Sequence, residues 1–369
     1  MAEHWFLRRR PVPDGELRVA VSGAEIREAA LSLGMSPEAL APAVHDPRLR
    51  VLVDGGQAAA LVRRQWHPEG FAEAVVLRRS GVPLEHPAVR ALAMGWGCAQ
   101  VRHGSTDRCR AVVGPGEGSA LADRFRYLAA LAASRVEIAV GLARDSGEER
   151  TKDDGSPSLA ADEAAHAAAV DVLGALGVTV LSEERRDSPV TASDPWIVLD
   201  PLDGTGNFSA GMPPWAFSAA LVHDGVPVAG LVADLASGRR WTGVHGIGAE
   251  RDGVPIAPRP GSTVVVPSGP SGQTVAVPST VRRIRVTGCT AVDLCLVADG
   301  AAAAWHDLDR SGTHVHDVAG GLGVLLAAGG AALDPAGRPL RLEPDTEAKI
   351  RFAAASSTSE AEALIRAVG

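Results

Sequence analysis

WIVLDPLDGTGNF, running from Trp196 to Phe208, is the stretch on which the reading of the whole chain turns. Its apolar start, Trp196-Ile197-Val198-Leu199, predicts a short buried strand. That strand delivers two carboxylates, Asp200 and Asp203, into a tight turn. Pro201 fixes φ there, and Gly204 lets the backbone approach a ligand closely. Gly204, Thr205 and Gly206 then read as the opening of a helix whose first N–H groups face an anion. Carboxylates suited to a hard cation, beside amides suited to a phosphate, form the layout of metal-assisted phosphate chemistry. Asp-Pro or Asp-Gly alone is an ordinary turn dipeptide; the complete string carries the functional reading.

Around this stretch lie 369 residues, enough for two or three lobes and a large core. The formal net charge of −8 argues against general nucleic-acid binding, and no apolar run is long enough to cross a membrane. The basic start MAEHWFLRRRP lacks the apolar segment of a signal peptide, so a cytoplasmic protein is expected. Cys98, Cys109, Cys289 and Cys295 form no CxxC pair and read as small buried hydrophobes. Lys152 and Lys349 are the only lysines.

Residues 1–118 read as a small α/β lobe. Strands are expected at Val19–Val21, Arg50–Val53 and Ala74–Leu77, and helices at Ile26–Leu33, after Ser36, and at Pro87–Met94. His67, His86 and His103 stand isolated. Gly114-Pro115-Gly116-Glu117-Gly118 has the composition of a boundary. A long amphipathic helix is expected over Leu121–Ala143, then the Lys152–Pro157 turn, a helix from about Ser158 to Leu176, and a strand at Val178–Leu181. Ala216–His223 and Val226–Asp234 read as a hairpin around Asp224-Gly225. Arg240–Thr242 is a further strand, and the Pro- and Gly-rich residues 258–280 read as a loop with little internal structure. Downstream, Arg283–Thr287 and Ala301–Trp305 are strand-like, and Thr290–Ala298 and Asp317–Ala328 are helical.

Four strings in order resemble the inositol monophosphatase-like family of Mg-dependent, lithium-sensitive phosphatases. They are the Lys152 turn with Ala161-Asp162, Ser182-Glu183-Glu184, Asp200 to Phe208, and His316-Asp317-Val318-Ala319-Gly320; Gly246-Ile247-Gly248-Ala249 is a weaker fifth. The resemblance implies an α+β fold, a layered α/β/α/β/α sandwich like that of fructose-1,6-bisphosphatase, here with an extra N-terminal α/β lobe. Its domains are expected at 1–118 and 119–369, the latter divided into a metal-site half (119–257) and a substrate half (258–369). The implied reaction is Mg²⁺-dependent hydrolysis of a small phosphate monoester by direct attack of a metal-activated water, with two or three ions. By resemblance, Glu183, Asp200 and the Leu202 carbonyl hold one ion, and Asp200, Asp203 and Asp317 another. Thr205 pairs with Asp162 to orient and deprotonate the water, while the Gly204 and Thr205 amides hold the phosphate. Asp307 is the position expected to receive a substrate hydroxyl, and Lys152 an electrostatic helper. Relatives are usually dimers, so a homodimer acting on a small phosphorylated substrate, with neither nucleic acid nor membrane as partner, is the implied assembly.

The chain departs from the pattern at several points. His316 replaces the usual Trp and can serve as a donor to Asp317; Asp307 replaces Glu; Cys289-Thr290 stands where Ser/Thr-Ala is common. Asp153 and Asp154 read as turn residues, Glu184 as a support for Glu183, and a zinc site built on His306, His314 and His316 as the poorer reading. Asn207-Phe208 is the ending common among inositol and sugar phosphatases, whereas Ser182 occurs among phosphatases of 3′-phosphoadenosine 5′-phosphate. A polyol, cyclitol or sugar phosphate is therefore the expected substrate. The alternatives are a nucleotide or other pathway-specific phosphatase, or a catalytically silent phosphate-binding relative.

Overall fold

The computed structural model describes residues 18–19, 49–54, 57–66, 72–79, 87–103, 110–112, 120–144, 149–151, 157–184, 194–268, 275–308 and 311–368. The helices expected at 26–33 and after Ser36, the 114–118 boundary, the Lys152 turn, His67, His86 and Cys109 lie outside them. Among the described residues no helix is long and apolar enough to cross a membrane.

The N-terminal lobe is a six-stranded sheet in chain order: β1 (Arg18–Val19), β2 (Leu49–Asp54), β3 (Gln57–Trp66), β4 (Ala72–Arg79), β5 (Gln100–His103) and β6 (Arg110–Val112). Only β4 and β5 run parallel, and helix α1 (Pro87–Gly95) supplies the crossover that parallel neighbours need. Val89, Leu92 and Ala93 of α1 pack on Leu52, Val62, Ala74 and Val101 of the sheet. The sequence reading lacks β3, β5 and β6. Gln57–Trp66 is Ala- and Arg-rich and carries no alternation; pairing with β2 and β4 on either side makes it a strand.

Two helices follow, α2 (Leu121–Arg144) and α3 (Ala160–Leu173), with a short ribbon of β7 (Glu149–Thr151) and β8 (Pro157–Leu159) between them. The central sheet comprises β9 (Thr179–Ser182), β10 (Trp196–Asp203), β11 (Ala216–His223), β12 (Val226–Asp234), β13 (Arg240–Val244), β14 (Gly248–Arg251) and β15 (Val254–Ile256). It is antiparallel except for β9 beside β10, and the short helix α4 (Thr205–Ala210) lies between β10 and β11. The remainder supplies β16 (Thr263–Val265), β17 (Arg283–Arg285), α5 (Thr290–Ala298), β18 (Ala304–His306), β19 (Thr313–His314), α6 (Val315–Ala327), β20 (Ala331–Leu333), β21 (Lys349–Ile350), β22 (Ala353–Ala355) and α7 (Thr358–Val368). A five-stranded sheet has the order β17-β16-β18-β22-β20, and β19 pairs with β21. The loop expected over 258–280 is corrected by β16, three residues too short to show a period, which is held by parallel pairing to β17 and β18.

Strand alternation turns these elements into layers. Ile197, Leu199, Phe217, Ala219 and Leu221 face α2 and α3, whereas Trp196, Val198, Ala220, Val222 and Val232 face α5 and α6. Beyond α5 and α6, Val265, Trp305, Phe352 and Ala354 present the five-stranded sheet to the same core. Its far face is covered by Ala361 and Leu364 of α7. The result is the α/β/α/β/α order with an N-terminal lobe added.

A buried charge seam fastens that lobe to the central sheet. Arg240 of β13 donates to Trp96 O (3.0 Å), Ala130 O (2.8 Å) and Ser134 Oγ (3.0 Å), and lies 3.4 Å from Glu137 Oε2. Arg64 of β3 reaches the same Glu137 oxygen at 2.7 Å. Burial, then the neighbouring Arg64 charge, lowers Arg240 to about 9. Burial opposes ionisation of Glu137, yet the two arginines hold it below the usual carboxylate range. Arg50 adds a pair to Asp252 at 3.0 Å. Glu137→Gln removes the carboxylate shared by two buried guanidinium groups. The expected loss is about 3–5 kcal/mol of unfolding free energy, measured by urea denaturation.

Candidate active site

Asp200 and Asp203 are three residues apart, so on a regular strand they point to opposite faces. The pairing of β10 with β11 instead shifts register between Asp200 and Asp203. This bulge turns both towards the layer that holds α6, as bulges beside active sites do. Helix α6 brings the third carboxylate. His314 is its N-cap residue, and Asp317, at its third position, accepts from the His314 backbone N–H. Ligand atoms of Asp200, Asp203 and Asp317 all lie within 4.8 Å of one another. Among the described residues this is the group placed to hold a metal, and His306, His314 and His316 do not join it.

Each carboxylate is held by donors from the chain. Asp200 Oδ1 accepts from Leu202 N at 3.0 Å. Asp203 Oδ2 accepts from Ala291 N at 2.7 Å and from the Cys289 thiol at 3.1 Å. Gly204 N–H also donates to Asp203, so that amide, expected at a phosphate, is engaged with a ligand carboxylate. Burial, then the charges of Glu183, Asp203 and Asp317, raises Asp200 well above the usual carboxylate range. Burial likewise raises Asp203 to about 6 against those hydrogen bonds, with Glu183 adding to the rise. Asp317 is raised by burial, then by Asp203 and Glu183, while Lys349 opposes the shift.

Glu183 follows β9, its N–H donating to Leu199 O of β10 at 3.2 Å. It is outside the 4.8 Å group, but its charge is felt by all three members. The Leu202 carbonyl accepts from Thr205 Oγ1 at 3.0 Å, and the same hydroxyl is 3.2 Å from Asp162 Oδ1. Thr205 opens α4 and Asp162 is in the first turn of α3, buried to 3% exposure, so two helix starts meet beside the carboxylates. Gly204, at φ +85°, makes the turn between β10 and α4; a Cβ there would stand 3.2 Å from Pro214 O. Asp307 is not brought into the group. It is buried behind β18, accepts from the Thr313 hydroxyl, and donates its N–H to Phe352 O. His316 Nε2 lies 3.4 Å from Asp317 Oδ1 and its ring stacks on His314.

Two features of the site have no signal in the sequence. Cys289 does more than fill space: its thiol meets Asp203 across 86 positions of chain. His166, one helical turn after Asp162, meets Ser182 Oγ at 2.9 Å and so ties α3 to the end of β9 just before Glu183. The donor set, all carboxylate and carbonyl oxygen, fits a hard divalent cation. Positive charge placed among these oxygens relieves the repulsion that raises Asp200, Asp203 and Asp317.

Comparison with known proteins adds the following. The sequence profile of the inositol monophosphatase family matches residues 124–369. A probable inositol 1-monophosphatase of Mycobacterium tuberculosis is 36% identical over 185 residues, 46% of this chain and 67% of that protein. A histidinol-phosphatase of the same organism is 44% identical over 101 residues, 27% of this chain and 38% of its own. Among solved structures, an extragenic suppressor from Pyrococcus furiosus aligns with a TM-score of 0.54 at 25% identity, covering 65% of this chain and 97% of that one. The inositol monophosphatase structure from Thermotoga maritima aligns with a TM-score of 0.55 at 20% identity, covering 67% and 96%, and this shows likeness of fold.

Ionised Asp203 opposes folding at neutral pH because its folded value, about 6, lies above the unfolded one. After EDTA treatment, the Asp203 contribution is therefore expected to raise stability as pH falls from about 6 towards 4. Apparent Mg²⁺ affinity is expected to fall over the same window, as protons and metal compete; thermal scans with and without Mg²⁺ read both. Asp200→Asn removes one buried repulsive charge and can keep the bond to Leu202 N. In EDTA this variant is expected to melt about 2–4 °C above the parent.

Proposed function

This chain belongs to the inositol monophosphatase family and is a phosphoric monoester hydrolase, and we propose that it uses Mg²⁺ to hydrolyse a small polyol, cyclitol or sugar phosphate. The observation that carries the reading is the convergence of Asp200, Asp203 and Asp317 beside the Thr205–Asp162 contact. It supports a cation site next to a hydroxyl–carboxylate pair able to handle a proton.

In this reading Asp200, Asp203 and Asp317, with Glu183 and the Leu202 carbonyl nearby, hold the magnesium ions. When bound, the ions neutralise phosphoryl oxygens and raise the acidity of a water. Thr205 Oγ1 takes a proton from the water as its own hydroxyl proton passes to Asp162, the hydroxyl turning from the Leu202 carbonyl to Asp162. The Thr205 amide faces the phosphate from the start of α4, and Gly204 keeps the turn open to it. Cys289 and the Ala291 N–H hold Asp203 on its metal-facing course. His166 with Ser182 fixes the spacing between Asp162 and Glu183. Direct attack of water on phosphorus leaves no covalent phospho-enzyme, since Asp200 and Asp203 are committed as ligands.

We assign residues 1–118 to an accessory lobe, 119–257 to the metal-site half and 258–369 to the substrate half. The separate six-stranded sheet and a family match that begins at residue 124 support this division. The family resemblance supports a homodimer.

The test is phosphate release with Mg²⁺ and then with EDTA from inositol 1-phosphate, fructose 1,6-bisphosphate, 3′-phosphoadenosine 5′-phosphate and histidinol phosphate. The last is included because of the 44% identical span. EDTA is expected to abolish release. Asp203→Asn is expected to lower kcat by about a hundredfold or more while circular dichroism stays native. Unchanged turnover and metal dependence in Asp203→Asn would overturn the site assignment.

A further inference from the structure

The N-terminal lobe meets the central sheet at a crevice of about 110 Å³, which shares no residue with the carboxylate cluster. Its floor belongs to a row that crosses three strands. Leu231 of β12 pairs with Thr242 of β13, and Thr242 with Glu250 of β14. Residues paired in this way point to one face, here the face covered by α2. Met94 and Gly95 of α1 form one wall, and Asp123, Arg126 and Tyr127 of α2 the other. Ala91 of α1, an exposed residue, marks the open side. A narrower extension of about 10 Å³ shares Ala91, Gly95 and Thr242 and continues to Arg240 and Asp252. The crevice therefore reaches the charge seam that fastens the lobe.

Two polar groups of this lining are left unmet. The Thr242 hydroxyl is buried, in a residue 6% exposed, and has no hydrogen-bond partner among the described residues. Such a group is costly unless something in the crevice meets it. Asp123 is half-buried, and among the described residues its carboxylate makes no hydrogen bond or ion pair. Arg126, three positions on, is committed instead to Glu250 at 3.2 Å. Asp123, Glu250 and Arg126 together leave one negative charge at the crevice. Both unmet groups are oxygen acceptors, and Met94, Gly95 and Leu231 beside them are apolar surface. A carboxylate in such a place favours a cationic donor over a neutral one, and disfavours an anion.

We propose that this crevice binds a small ammonium compound carrying a hydroxyl, its ammonium on Asp123 and its hydroxyl on Thr242. The volume is below the ~150 Å³ cavity that admits benzene, so the ligand has about six heavy atoms or fewer. Seated there, it touches α1 of the lobe, α2 and β13 together and strengthens the docking of the lobe. The site is independent of the phosphatase reading.

The experiment is calorimetry on the full chain with saturating Mg²⁺, which keeps the amine from the carboxylate cluster. Three probes of one length are compared: 4-aminobutan-1-ol, the neutral butane-1,4-diol and the anionic 4-hydroxybutanoate. The amine is expected to bind about tenfold tighter than either of the others and to raise the thermal midpoint. Asp123→Asn is expected to bring its affinity down to that of the diol. Thr242→Val, which replaces the hydroxyl by a methyl, is expected to weaken it about three- to tenfold. Should Thr242→Val fail to fold, Asp123→Asn, half-buried in the first turn of α2, carries the test. Phosphate release by both variants is expected to match the parent, because neither residue belongs to the carboxylate cluster. Three results would overturn the proposal. They are a diol or 4-hydroxybutanoate that binds as tightly as the amine, amine binding unchanged in Asp123→Asn, and no binding of any probe at millimolar concentration. The last would mean that water alone meets Thr242.

Discussion

Three carboxylates within 4.8 Å of one another, two buried and one half-buried, repel, and much of the chain's architecture serves to hold them there. Their charge is costly in a low-dielectric interior, which is why burial and mutual repulsion raise all three above the ordinary range. The restraint comes from the backbone and from one thiol. Leu202 N steadies Asp200, His314 N steadies Asp317, and Ala291 N with Cys289 steadies Asp203. A site kept in this state stores an affinity for cations that an exposed acidic patch lacks. It also lowers the stability of the metal-free chain, the usual exchange of stability for function.

Holding Asp317 beside β10 requires α6 to sit unusually close to the central sheet. Glycines on both partners allow it. A Cβ on Gly323 would come within 2.8 Å of Gly230 N, and one on Gly320 within 2.9 Å of Ala219 N. The Gly/Ala-rich composition of α6 is thus a matter of approach distance: larger side chains would lift the helix and carry Asp317 away from its partners. The bulge in β10 does the complementary work from the sheet side. Both devices act over fractions of a side-chain length, the scale on which ligand geometry is decided.

The N-terminal lobe is joined to this frame by more than chain continuity. Arg64, Glu137 and Arg240 share one buried network spanning β3, α2 and β13, and Tyr127, Leu128 and Leu131 of α2 extend the lobe's apolar core. One face of α2 therefore serves the phosphatase layers while another serves the lobe. A seam of this kind transmits strain between its two sides, because a buried guanidinium cannot give up its counter-charge cheaply.

Where local chemistry decides the structure, the sequence was sufficient. The hairpin at Asp224-Gly225, the long helix from Leu121 and the strand–turn–helix around Asp200 to Thr205 each follow from residues adjacent in the chain. The four ordered strings likewise pointed to the family and to phosphate chemistry. β3 and β16 were not legible, because neither carries a period of its own and each becomes a strand only between its neighbours. Asp162 could be paired with Thr205 only through resemblance; the 3.2 Å contact depends on two helix starts converging across 43 positions. Cys289 on Asp203, His166 on Ser182 and Lys349 opposite His314 had no local signature at all. Sequence by itself determined which residues can bind a cation or turn the chain, since those properties belong to single side chains and short spacings. Tertiary structure decided which of them meet, because a contact across the fold is set by strand register, bulges and the closeness of helix packing.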